Sequence, residues 1–152
     1  NQFIEEFSKV YRYILNNQEK EIVELRSELE FIQPYIFLLQ KRFDNGLTVK
    51  VNIPDHYKSW HIVPAALQML IENAIKHNVV SRSKPLHIDI YTNGNQTIVI
   101  KNNLQPRMMV EASTRIGLQN IRKRYELISG RDVIVKKTAQ EFEVALPLLQ
   151  LN

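Results

Sequence analysis

The stretch Leu70-Ile71-Glu72-Asn73-Ala74-Ile75-Lys76-His77-Asn78 constrains this chain more than any other, because it asks one helix to serve a core and a polar cluster together. At about 3.6 residues per turn, Leu67, Leu70, Ile71, Ala74 and Asn78 fall on one side, while Glu72, Asn73, Lys76 and His77 share the other. The first side is suited to packing on a sheet. The second gathers an acid, an amide, a cation and an imidazole within two turns, which is what binding a metal-bound polyphosphate asks for. The plain alternative for Glu72 and Lys76 is an i,i+4 surface pair, worth about 0.2–0.5 kcal/mol. Asn73 argues for more than that, since asparagine is mildly unfavourable inside a helix.

With 152 residues, 44% of them hydrophobic, the chain is long enough for one domain with a real core and an appendage. There is no apolar run of about eighteen residues and no charged-then-apolar leader, so this stretch is expected not to enter a membrane. The absence of cysteine excludes disulfides and thiolate metal sites and fits a reducing, cytoplasmic setting. A net charge of +4 raises the question of nucleic acid. The basic residues are scattered among acids, and Arg122-Lys123-Arg124 has no interleaved aromatics, so a solvated surface is the better reading.

Along the chain, Phe3, Phe7, Val10, Tyr11 and Ile14 form one helical stripe and Leu25, Leu29, Ile32, Ile36, Leu39 and Phe43 a second, with a break near Asn16-Asn17. Glu5, Glu6, Lys9 and Arg12 give the first stripe a polar side of both signs, which suits a helix–helix seam better than a membrane face. Pro34 removes a backbone donor and is expected to kink the second helix without ending it. Asn45-Gly46 marks a turn, and Leu47, Val49 and Val51 alternate as in a strand. Pro54-Asp55 ends that strand, and Pro64 sits where an N1 proline would open the helix described first. Leu86–Ile90 and Thr97–Lys101 read as a hairpin joined through Asn93-Gly94-Asn95. Residues from Asn102 to Thr114, with Met108-Met109, read as a loop over a site. Gly117 then starts a helix with Leu118, Ile121, Tyr125 and Ile128 on one face and Gly130 as its cap. Val133-Ile134-Val135 and Phe142–Leu146 supply a last antiparallel pair. The expected fold is α+β, a two-layer sandwich of a mixed sheet with helices on one face. The expected division is a helical arm over 1–43 and a nucleotide-binding domain over 44–152.

Glu72-Asn73-Ala74-Ile75-Lys76-His77 resembles the N box of the GHKL (Bergerat-fold) ATPases, and in particular of LytS-type sensor histidine kinases. Arg115-Ile116-Gly117-Leu118-Gln119-Asn120-Ile121-Arg122-Lys123-Arg124-Tyr125 is similar to that family's second glycine box. Leu29-Glu30 through Arg42-Phe43 resembles the stretch that links dimerisation helices to the ATPase domain, and Leu146-Pro147-Leu148 the closing strand. The resemblance implies transfer of the ATP γ-phosphoryl group to a histidine and onward to a response regulator, with Mg²⁺. It implies a homodimer formed through the N-terminal helical region and a position at the cytoplasmic face of a membrane. Carried over by position, it makes Asn73 a Mg²⁺ ligand and Glu72 a general base, or a residue that orients the acceptor imidazole. Lys76 and His77 would offset phosphate charge, and Gly117, with Leu118 beside it, would let the backbone approach the phosphates.

Three positions depart from the family pattern. Asn102 stands where an Asp accepts a hydrogen bond from the adenine amino group, while Leu104 and Arg115 stand where glycines are usual. By alternation Asn102 points with Ile98 and Ile100 toward the helix layer, so its amide oxygen still faces the pocket as an acceptor. It lacks the charge assistance that makes such bonds about twice as strong. Arg115 is either a phosphate contact or a solvated loop residue. The alternative favoured by these departures is a non-catalytic module of the same fold that regulates a partner through its surface. No segment resembling the family's phosphoacceptor helix occurs here, and none of His56, His61, His77 or His87 has its context. This stretch alone is therefore expected not to autophosphorylate.

Overall fold

Alternating apolar residues make the strands, and apolar residues three and four apart make the helices that cover them. The computed structural model describes residues 4–9, 21–108 and 113–151, with the backbone alone for 113–116. Residues 4–9 are helical, and the expected break near Asn16-Asn17 lies outside the described residues. Strand β1 (Val23–Glu24) runs straight into helix α1 (Leu25–Phe43), which is followed by β2 (Leu47–Asn52), β3 (His61–Ile62) and helix α2 (Ala66–His77). Then come β4 (Leu86–Thr92), β5 (Thr97–Asn103), helix α3 (Ser113–Ser129), β6 (Ile134–Lys137) and β7 (Glu141–Pro147).

The main sheet has the order β2-β4-β5-β7-β6, and β1 pairs separately with β3. Strand β2 is parallel to β4, with Leu47 opposite Leu86, and the other neighbours are antiparallel. Parallel neighbours need a crossover, and the one between β2 and β4 is what carries α2 across the sheet. Leu86, Ile88 and Ile90 of β4, Ile98 and Ile100 of β5, and Val144 and Leu146 of β7 turn one face into the core. Leu25, Ile32 and Ile36 of α1, Leu67 and Ile71 of α2, and Ile121 and Tyr125 of α3 meet them there. Full burial of each such side chain contributes about 1.5–3 kcal/mol. The α+β sandwich with a mixed sheet is thus the observed architecture. Helix α1 runs unbroken through Pro34.

The boundaries hold four corrections. Pro64 does not open α2: the cap is Ala65, in the left-handed region at φ 62°, and the helix starts at Ala66. The reason is tertiary, because the buried carboxylate of Glu28 on α1 accepts a hydrogen bond from Ala65 N at 2.8 Å and fixes that turn. A negative group there also complements the positive end of the helix dipole. Strand β5 continues through Asn103 and α3 already begins at Ser113, so the expected loop from Asn102 to Thr114 is shorter at both ends. Gly117 consequently lies inside α3 and does not start it. Strand β6 starts at Ile134, leaving Val133 buried just ahead of it. Gly130, at φ 66°, closes α3 as expected, its N–H reaching Glu126 O at 3.3 Å.

Candidate nucleotide-binding site

Helix α2 presents three stripes. Leu67, Leu70, Ile71, Ala74 and, just past the helix, Asn78 are all buried, as the periodicity requires. The polar residues do not form a single cluster but divide between two neighbouring helices. Gln68 and Glu72 face α1: the Tyr35 hydroxyl donates to Glu72 Oε1 at 3.0 Å, and Gln68 Nε2 donates to the same oxygen at 3.3 Å. Met69 and Asn73 face α3. A Cβ on Gly117 would stand 3.2 Å from Met69 Cε and 4.0 Å from Asn73 Oδ1. Adjacent helix residues diverge by about 100°, which is why neighbours in sequence end on different partners.

The half-buried amide of Asn73 has no hydrogen-bond partner among the described residues. Lys76, one turn on, is exposed, and no ion pair joins it to Glu72. The surface-pair reading of those two residues is thereby removed, since Glu72 is engaged by Tyr35 and Gln68 instead. His77 is half-buried, and its carbonyl accepts from Arg107 N at 3.0 Å. Arg107 Nε also donates to Asn78 O at 2.8 Å, so a cationic side chain sits on the carbonyl end of α2. Asn78 Nδ2 donates to Ala74 O, and its Oδ1 accepts from Gln105 N, each at 2.8 Å. These bonds, with the isolated bridge between Asn78 and Pro106, tie the exit of β5 to the end of α2.

At the end of β5, Asn102 shares the inward parity of Ile98 and Ile100 and is 4% exposed. Its Nδ2 donates to Asn103 O at 2.8 Å, and no described residue donates to Oδ1, so the acceptor end of the amide is the unengaged one. Leu118 packs against the core cluster. The side chain of Arg115 and all of Met109 lie outside the described residues. Tyr35, Gln68, Met69 and Arg107 are the residues that motif reading missed. Of these, only Gln68 and Met69 carried a signal, standing four residues before Glu72 and Asn73 on the same helix.

Among the described residues no group of three or more His, Cys, Asp and Glu is placed to hold a metal ion. The side-chain oxygen of Asn73 is a hard donor of the kind that Mg²⁺ accepts beside phosphate oxygens. Two open clefts lie elsewhere. One of about 340 Å³ lies between α1 and β2 beside Arg26 and Lys58, and another of about 490 Å³ between α3 and β6 beside Arg122 and Asp132. Neither contains a residue of the motifs in α2.

Solved structures share this architecture. The nucleotide-free catalytic domain of the histidine kinase ThkA superposes with a TM-score of 0.55 at 12% identity, covering 85% of this chain and 99% of that one. The cytoplasmic segment of the histidine kinase QseC gives 0.54 at 15% identity, over 84% of this chain and 77% of that one. The fold is that of a histidine kinase catalytic domain. The family model described as "Histidine kinase" matches residues 1–47. Among curated proteins, the chain is similar to the sensor protein LytS of Enterococcus faecalis, 28% identical over 84% of this chain and 24% of that protein. It is also similar to the sensor histidine kinase/phosphatase LytS of Staphylococcus aureus, 26% identical over 91% of this chain and 26% of that protein. The resemblance to LytS-type sensor histidine kinases therefore holds, and the chain spans about a quarter of the length of these relatives.

Proposed function

We propose that the chain is the ATP-binding catalytic part of a two-component sensor histidine kinase. The observation that carries this reading is the amide of Asn73, which has no hydrogen-bond partner among the described residues and faces Gly117 on α3. In this reading Asn73 Oδ1 is the protein ligand of a Mg²⁺ ion that neutralises phosphate charge when bound. Lys76 adds positive charge, and His77 an imidazole, at the far end of the same helix. Asn102 Oδ1 accepts from the adenine amino group. Gly117 stands opposite on α3, the helix that also carries Arg115 and Leu118.

The reaction is attack by an imidazole nitrogen of a histidine elsewhere in the protein on the γ-phosphorus of ATP. The new P–N bond forms as the bond between that phosphorus and the β,γ-bridging oxygen breaks, and ADP leaves. Glu72 accepts the imidazole proton or aligns the ring. The phosphoryl group then passes to a response regulator, and the kinase works as a homodimer joined through its N-terminal helical region, at the cytoplasmic face of a membrane. No helix among the described residues is long and apolar enough to cross one.

Calorimetric titration with Mg²⁺ and ATP tests the reading: saturation at millimolar nucleotide or below is expected, and no binding heat at that concentration overturns it. A second reading, a regulatory module without effective nucleotide binding, is favoured by Asn102, whose neutral amide oxygen lacks the charge assistance of a carboxylate acceptor. Asn102→Asp examines the adenine contact. It strengthens the acceptor, but it also places a carboxylate against the carbonyl of Asn103, so tighter binding is expected together with a lower melting temperature.

A further inference from the structure

Among the described residues, two hydrogen bonds join α1 to α2 and its cap, and they share one register. Glu28 takes the amide of Ala65, the Tyr35 hydroxyl reaches Glu72, and in both cases the partners are 37 residues apart. Equal offsets mean that the helices run side by side in the same direction, with the two contacts about two turns, or about 10 Å, apart. The first contact fixes where α2 begins. The second falls on the carboxylate of the motif itself.

We propose that Tyr35 is a positioning residue for phosphoryl transfer: its hydroxyl holds one carboxylate oxygen of Glu72 so that the other is presented to the acceptor imidazole. The inference rests on the kinase reading above and adds to it a residue outside both motifs. Glu72 Oε1 receives the Tyr35 hydroxyl at 3.0 Å and Gln68 Nε2 at 3.3 Å, while no described residue donates to Oε2. A carboxylate with one oxygen anchored and one open is arranged to accept a proton in a fixed direction. The anchor is itself rigid. Tyr35 is 7% exposed, and its ring stacks on Phe31 with centroids 6.3 Å apart. Burial, and then the negative charge of Glu72, push the phenol far above its ordinary range, so it keeps its proton and acts as a donor throughout the working pH range. Because Tyr35 belongs to α1, the same bond makes the geometry of Glu72 depend on where α1 sits.

Tyr35→Phe keeps the ring and removes only the donor. In the full-length protein, single-turnover transfer from labelled Mg-ATP is expected to slow about tenfold, the rate equivalent of one hydrogen bond, while the Mg-ATP dissociation constant stays within about twofold. On a Glu72→Gln background the same change is expected to cost nothing further, because the residue it acts through has gone. Transfer at the wild-type rate, an equal loss on both backgrounds, or a loss explained wholly by weaker nucleotide binding overturns the positioning role. A wild-type protein that binds no Mg-ATP overturns the kinase reading as well. A wild-type protein that transfers, beside a Tyr35→Phe variant that transfers equally fast, overturns only the role of Tyr35.

Discussion

Four asparagines border the candidate site, and they are used in two different ways. Asn73, in the middle of α2, has no hydrogen-bond partner among the described residues. Around the end of β5 and the end of α2, by contrast, Asn78 and Asn103 have both ends of their amides engaged. Asn78 bonds Ala74 O and Gln105 N, while Asn103 accepts from His87 N at 2.7 Å and donates to Pro85 O at 3.2 Å. Asn102 stands between the two, with its nitrogen engaged and its oxygen not. Chemically identical groups thus divide into those that hold backbone together and those left for a ligand. The division follows the secondary structure: a residue inside a helix meets backbone groups already paired with one another, whereas strand and helix ends offer unpaired ones.

The comparison can be broken most directly at Asn73. Asn73→Ala should weaken Mg-ATP binding by at least about a hundredfold, since loss of the ligand should exceed the roughly 10–100-fold typical of its supporting residues. The fold should tolerate the change, because alanine is the better helix former by up to about 0.7 kcal/mol. Calorimetry and thermal melting on one sample check both halves. Loss of folding together with binding would place Asn73 with the structural amides.

Asn78→Ala should do the reverse. It strands Ala74 O in a buried position and Gln105 N in a part-buried one, and the expected cost is about 1–3 kcal/mol, read as a drop in the denaturant midpoint. A smaller perturbation sharpens the role of Gly117. A Cβ there meets the flexible end of Met69 at 3.2 Å and Asn73 Oδ1 at an ordinary 4.0 Å, so Gly117→Ala should shift stability by less than about 1 kcal/mol. A larger effect on Mg-ATP affinity than on melting would show that the glycine serves the ligand more than the packing of α2 on α3.

The smallest effect lies on the outer face of the sheet, where Lys101 reaches Glu141 at 3.3 Å. The bond to Glu141, followed by nearby Tyr91, raises the ammonium above its ordinary 10.5. A group with a raised folded value gives stability that is complete below its unfolded value and lost as pH climbs through the folded one. The pair should therefore help at neutral pH and begin to lose its effect as pH rises above about 10.5. Both side chains are partly solvated, so Glu141→Gln should cost no more than about 1 kcal/mol at pH 7 and less at high salt.

The sequence was legible where local chemistry decides. The apolar stripe of α2 rests on period and the Gly130 cap on backbone freedom, while the hairpin closes through the side chain of Asn93, with Gln96 rather than Gly94 in the left-handed region. It failed where a distant residue decides. Nothing about Ala65 suggests a left-handed turn; Glu28, on another helix, imposes it, and the nearby Pro64 was the better local candidate. Gly117 has the low helix propensity of a boundary residue, yet α3 begins a turn earlier, with this glycine against Met69 and Asn73. For the candidate site, the residues could be named, but their division could not. Glu72 and Asn73 are neighbours in the chain, and only the placement of α1 and α3 shows that one faces Tyr35 and the other Gly117.

Strand β3 is two residues long and has a neighbour on each flank. Glu24 of β1 lies across from His61 on one side, and on the other His61 and Leu149 exchange backbone bonds of 2.6 and 2.9 Å. Leu148 in turn bonds Gln96 O through its amide, and its carbonyl takes Arg131 at 3.0 Å. The tail is thus bonded to β3, whose other flank carries β1 at the entry to α1. Trimming the chain after Pro147 would remove the Leu149 flank and leave His61 only its pairing with Glu24.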